Sequence, residues 1–127
     1  KNNLKNRVIF LGKTNEVDEI LCSSDLFLLP SEKESFGLAA LEAMALKVPV
    51  ISTNIGGLSE LNINGNSGFT SDIGDIDSMA SNAIKILSDK SLKNKYRSQA
   101  FENAIKYDIK KIIPLYESVY QEALNIY

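Results

Sequence analysis

Two carboxylates, Glu34 and Glu42, stand with seven residues between them in the stretch SEKESFGLAALEAM, Ser31 to Met44. The first precedes a run of small, apolar helix formers, and the second is the only charge inside that run. A carboxylate accepts two hydrogen bonds at once and suits the vicinal hydroxyls of a ribose or a hexose. Between the two glutamates the helix begins, and a helix start presents unpaired N–H groups and roughly half a positive charge, a ready seat for phosphate. Gly37 lets a ligand approach the backbone there, and Ser35 can cap the helix or donate to an oxygen. Eight helical residues turn the chain by ~800°, which leaves the carboxylates ~80° apart and at most ~12 Å apart along the axis. Both can therefore face one crevice, at opposite ends of one ligand. Phosphate between two polyols describes a nucleotide sugar. The competing reading makes Ser31 and Glu34 a capping box, with Glu42 reaching the protein edge. Against it, an unpaired buried carboxylate is costly, and the run has almost no polar face to carry one outward.

These residues need elements to hold them. RVIFLG (7–12) reads as a buried strand closed by glycine, DLFLLP (25–30) as a second and VPVIST (48–53) as a third. NEVDEILCSS reads as a short helix with Asn15 as its N-cap, and FGLAALEAMAL as a helix by composition. NIGGLSEL is a turn into a brief helix, and NGNSGFTS a turn ending in a short strand. From there the pattern is helical. One helix carries Met79, Ala83, Ile86 and Leu87 on one face, a second covers about 91–105, and a last runs from 109 with Ile112, Tyr116, Val119 and Ala123 in register.

Apolar strands alternating with helices predict an α/β fold, a Rossmann-like parallel sheet covered on both faces. Three main strands are few for that architecture, and the chain opens almost directly on a core strand. It reads as part of a larger domain, with strands and helices missing on the N-terminal side. In such a sheet ligands bind beyond the carboxyl ends of the strands. Three polar loops are expected to meet there: GKTN, PSEKESFG and TNIGG.

Composition excludes several classes. A net charge of −2 over 127 residues gives no footprint for nucleic acid, and the lysines and arginine between 85 and 111 read as a solvated helix face. Histidine is absent, which removes the commonest general base and the His-dependent metal sites and triads. No metal or cofactor is expected. Neither a GxGxxG nor a Walker lysine is present. No apolar run reaches the ~20 residues that span a bilayer, no signal peptide opens the chain, and a cytoplasmic location is expected. The single cysteine, Cys22, reads as a buried, inert thiol.

PSEKESFGLAALEAMALKVPVIS, followed by NIGGLSEL and NGNSGF, resembles the retaining two-domain glycosyltransferases of the glycogen-synthase-like class, family 4. The resemblance runs from about Arg7 to Leu124, and its hallmark is a Glu, seven residues, Glu spacing. It implies the GT-B fold, two Rossmann-like domains with a cleft between, and makes residues 1–127 the later part of the C-terminal, donor-binding domain. Residues 109–127 are then the terminal helix. Within the class LGKTNEVDEIL, SEKESFGLAALEAMA and IIPLYESVY look most like the bacillithiol-pathway branch, which joins N-acetylglucosamine from its UDP donor to L-malate.

By that resemblance Glu34 is the catalytic carboxylate that holds donor-sugar hydroxyls near the reacting carbon. The backbone of Ser35, Phe36, Gly37 and Leu38 faces the sugar and diphosphate, Glu42 takes the ribose hydroxyls, and the Gly12–Lys13 loop lies near the uracil. The implied partners are a nucleotide-sugar donor, a small-molecule acceptor and an N-terminal domain, with no nucleic acid and no integral membrane segment. The bland alternatives are a transferase of the same class acting on a lipid or capsular acceptor, and a noncatalytic binding module. Such a module would self-associate as a homo-oligomer through the last helix or an unpaired sheet edge. Two positions depart from the family pattern. Lys47 stands at a usual glycine, where it must take positive φ or shift the turn, and Ser59 stands at a usual proline.

Overall fold

The central strand of the sheet is buried along its whole length, and everything that positions the loops builds on it. The computed structural model describes residue 4 and residues 6–125. Its elements are α1 (Val17–Cys22), β1 (Phe27–Leu29), α2 (Leu38–Ala45), β2 (Val50–Thr53), α3 (Leu58–Leu61), β3 (Gly68–Ser71), α4 (Ile76–Ser88), α5 (Lys90–Ala104), a single 3₁₀ turn (Ile105–Tyr107) and α6 (Ile109–Asn125). The strands pair in parallel in the order β1-β2-β3, with Leu29 opposite Ser52 and Thr53 opposite Ser71. All three carboxyl ends therefore lie on one edge.

Alternation along β2 feeds two cores, because successive side chains of a strand point to opposite faces. Val50 joins Ala40, Ala43, Met44, Leu58, Leu61, Ala100 and Ala104 on the face covered by α2 and α5. Ile51 joins Phe69, Ile86 and Tyr96 on the face covered by α4. Alanines at 40, 43, 100 and 104 let α2 and α5 approach closely. At the sheet's centre the buried Asn62 amide donates to the carbonyls of Val50 and Phe69, at 3.3 and 3.0 Å, and to Ser52 Oγ at 3.0 Å. At the β1 end Lys93 bonds Asp25 at 2.7 Å. That hydrogen bond and charge hold the Asp25 carboxyl below its ordinary range.

The parallel α/β architecture is the expected one, yet one of its strands is not. Residues 8–11 form no strand: Ile9 is 81% exposed and Phe10 93%. A strand exists only where a second backbone accepts its hydrogen bonds, and among the described residues none pairs with this stretch. The third strand is instead GFTS, which had read as a minor one. Three smaller expectations also change. Glu16, not Asn15, precedes α1, and it makes no side-chain cap; its N–H instead bonds Thr14 Oγ1 at 3.0 Å. Cys22 is exposed, not buried, because Leu21 takes the inward position of that short helix. The register on α6 leads to no buried residue, and Tyr116 and Val119 are exposed. On α4, Met79, Ala83 and Ile86 face the core as expected while Leu87 stays half exposed.

Lys47 resolves its own question. It adopts φ +61° and completes a helix-ending turn in which Val48 N–H bonds the Ala43 carbonyl at 2.9 Å and Lys47 N–H that of Met44 at 3.0 Å. Its ammonium lies 5.0 Å from the Phe101 ring centroid. The left-handed conformation costs an L-residue ~1–2 kcal/mol, while a cation over a ring at an exposed site returns ~0.5–1 kcal/mol. Lys47→Gly is therefore expected to change stability by less than ~1 kcal/mol, whereas Lys47→Val, β-branched at positive φ, should lose at least ~1 kcal/mol. Urea titration of the two variants beside the parent protein checks the order.

Candidate functional site

Three loops leave the carboxyl edge of the sheet: residues 30–37 after β1, 54–57 after β2 and 72–75 after β3. The first two are locked together through their backbones. Thr53 Oγ1 donates to the Ser31 carbonyl at 2.7 Å, and Gly57 N–H donates to the Ser35 carbonyl at 2.9 Å. Gly56, at φ +49°, lies so close to the first loop that a Cβ on it would sit 2.0 Å from the Glu34 carbonyl oxygen. Only glycine fits there, on both conformational and steric grounds. The second and third loops are tied as well: Asn54 N–H bonds the Ser71 carbonyl at 3.0 Å, and its side-chain amide bonds Asp72 at 2.7 Å.

The first loop delivers the chain to α2 through Gly37, the N-cap, at φ +94°. A Cβ there would meet Leu58 Cδ2 at 2.4 Å, so Gly37 also seats the helix start on α3. No side chain caps α2. The capping-box reading of Ser31 and Glu34 therefore fails, because a box on this helix would need its members at 37 and 40. Ser35 does not cap either, and it is exposed. The first-turn N–H groups of α2 thus have no side-chain acceptor of their own.

Glu34 is half-buried at the join of the two loops. Phe36 packs edge-on against Tyr107, with centroids 5.5 Å apart. Leu38 is 64% exposed on the outer face of α2. Glu42 lies one turn further on that same face and is exposed, not buried as the composition of the run suggested. The inner face of α2, Ala40, Ala43 and Met44, carries the apolar character; the outer one is free to hold a charge. Gly12 (φ +67°) and Lys13 are exposed, and among the described residues no hydrogen bond links them to the other loops. The structure thus brings together Glu34, Ser35, Phe36, Gly37 and Leu38 with the 54–57 turn and places Glu42 one turn along α2, while Gly12 and Lys13 make no hydrogen bond to these loops among the described residues.

Sequence reasoning placed Thr53 and Asn54 in a loop expected at this edge but gave neither a role, and it missed Asp72; these residues join the loops. Their signal was position, since each ends a strand or directly follows one. A cavity of about 470 Å³ lies beside the site between Phe36, Leu38, Leu41, Tyr107 and α6; its lining is apolar and includes neither glutamate. Among the described residues no group of three His, Cys, Asp or Glu gathers as metal ligands would, and no helix is long and apolar enough to cross a membrane.

The sequence pattern of the family described as glycosyl transferases group 1 matches residues 1–106. An N-acetyl-alpha-D-glucosaminyl L-malate synthase of Bacillus anthracis is 42% identical over 96% of this chain and 32% of its own length. An Escherichia coli UDP-Gal:alpha-D-GlcNAc-diphosphoundecaprenol alpha-1,3-galactosyltransferase is 41% identical over 71% of the chain and 23% of its own. Among solved structures, the C-terminal domain of a glycosyl transferase group 1 family protein from Francisella tularensis superposes with a TM-score of 0.71 at 30% identity, covering 80% of this chain and 53% of that one. The chain therefore spans about a third or less of those two curated relatives.

The clearest mechanical dependence is on Gly56. Gly56→Ala would put a methyl group into the Glu34 carbonyl from a left-handed backbone, and it should cost at least ~2 kcal/mol. Denaturant unfolding reads that loss, and Gly12→Ala, a left-handed glycine with open space around it, is expected to lose less.

Proposed function

The chain belongs to the glycosyl transferases group 1 family, and from that premise we propose that it is the later, donor-binding part of a retaining glycosyltransferase. In this reading the intact protein moves N-acetylglucosamine from UDP-N-acetylglucosamine to L-malate, a step of bacillithiol biosynthesis in the cytoplasm. The observation that carries the choice is the 42% identity to the malate synthase across nearly the whole chain.

The geometry supports a division of labour. Glu34, fixed at the join of two loops, takes hydroxyls of the donor sugar. The N–H groups of Ser35, Phe36, Gly37 and Leu38 face the diphosphate at the uncapped start of α2. Glu42, one turn along the exposed face, takes the ribose hydroxyls; for the Gly12–Lys13 loop a place toward the uracil rests on the family resemblance, not on this geometry. Transfer with retention runs on one face of the sugar. The acceptor hydroxyl bonds to the anomeric carbon, the bond from that carbon to the diphosphate oxygen breaks, and the hydroxyl proton passes to the departing phosphate. The leaving group itself serves as base, so the chemistry requires neither a histidine nor a resident metal or cofactor. The acceptor site and the cations that neutralise the diphosphate lie outside these 127 residues, which by themselves are expected to give no turnover.

A second reading has one specific support: the 41% identity to a transferase whose named acceptor is a diphosphoundecaprenol-linked sugar. Titration of UDP and UDP-N-acetylglucosamine into the intact protein, with and without malate, separates the two. The first reading expects a malate-dependent product; transfer only to a polyprenyl-diphosphate sugar would replace it with the second. Glu34→Ala should lower kcat on the order of a hundredfold with the fold kept, and near-normal turnover would remove that role. Glu42→Ala should mainly raise KM for the donor, by about tenfold, as the loss of a charge-assisted hydrogen bond would.

A further inference from the structure

Thr53 ends β2 and is 1% exposed, yet it is not an apolar residue. Valine has the same shape and would fill such a place without burying a hydroxyl, whose desolvation is costly unless a partner is found. The partner is the carbonyl of Ser31, 22 residues earlier in the chain, at 2.7 Å. This bond ties down the entrance of the loop that carries Glu34. The exit of the same loop is tied independently, by Gly57 N–H to the Ser35 carbonyl at 2.9 Å. Glu34 lies between the two ties. The stretch from Phe36 into α2 lies beyond the second.

We propose that Thr53 is a positioning residue for sugar transfer: its hydroxyl, by holding the Ser31 carbonyl, sets where the Glu34 carboxylate stands. The inference deepens the donor-site reading and rests on it. Loss of the entrance tie loosens residues 31–33 and the approach of the chain to Glu34, while the Gly56 packing on the Glu34 carbonyl, the exit tie and the N–H groups of Phe36, Gly37 and Leu38 stay in place. Sugar orientation then suffers while nucleotide binding does not. A merely structural threonine would weaken both together.

The test is made in the intact protein with Thr53→Val and Thr53→Ser. The valine variant is expected to lower kcat with UDP-N-acetylglucosamine about tenfold, while KM for the donor and Kd for UDP stay within about twofold. Serine, which keeps the hydroxyl, should bring kcat back to within about threefold of the parent. Hydrogen exchange adds a readout that needs no activity: amides of residues 32–34 should exchange faster in the valine variant, with those of 58–61 unchanged. An unaltered kcat overturns the proposal. So does a parallel loss of UDP affinity and turnover, or a serine variant as poor as valine. If the parent protein binds no UDP, the donor reading falls, and exchange decides for the tie alone: faster exchange at 32–34 upholds it and unchanged exchange overturns it. Should the valine variant not fold, Thr53→Ala takes its place in every arm.

Discussion

Backbone-on-backbone packing between two loops is the constraint on which the rest of the site depends. The turn at Gly56 and Gly57 presses against residues 34–36 so closely that no side chain fits between them. Because both loops leave adjacent parallel strands at the same edge, the sheet register decides where they meet. The register is in turn held by a fully buried β2 and by the Asn62 amide, which reaches both β2 and β3. A centre of this kind holds a carboxylate and a helix start in fixed relation through close packing and backbone hydrogen bonds. The polar groups involved are mostly backbone, and they find their partners in each other.

Much of this was legible in the sequence because local rules and tertiary packing agree. The short apolar strands, the alanine-rich α2 and the amphipathic α4 each carry one pattern, and each found a place to bury it. The failures share a physical cause, which is that burial depends on a partner the local sequence does not name. RVIFLG is as apolar as β2, but no backbone pairs with it among the described residues and it lies in solvent. Cys22 and Leu21 are neighbours in a six-residue helix, and composition does not say which of them turns inward. Thr53, the link between loops, carries no motif at all; only the fold brings it to Ser31. Lys47 was legible as a problem, and the structure supplies its solution, a left-handed lysine stacked over Phe101.

α6 shows the same dependence from the other direction. Its apolar period is strong, yet none of its described residues is buried. Among its described residues Ile112, Leu115 and Tyr116 border the cavity against Phe36 and Tyr107. The Phe36–Tyr107 contact joins the loop bearing Glu34 to the 3₁₀ turn that leads into α6.

Glu42 is exposed on the outer face of α2. A charge buried among Ala, Leu and Met would be costly, and that cost would favour a bound partner for Glu42. That cost is absent, because α2 divides its residues cleanly. Ala40, Ala43 and Met44 face α5 and the sheet, while Leu38, Ala39 and Glu42 face outward. An exposed glutamate on such a face is ordinary, and desolvation says nothing of its purpose. What remains is geometric. Glu42 stands one turn after Leu38 on the exposed side of a helix whose uncapped start adjoins Glu34. The unusual neighbour of the carboxylate is therefore Leu38, a large apolar side chain left 64% open beside it. In the donor-site reading proposed above, such an apolar surface next to a charge would suit a sugar or ring face with hydroxyls at its edge, and the case for Glu42 rests on that pairing and not on burial.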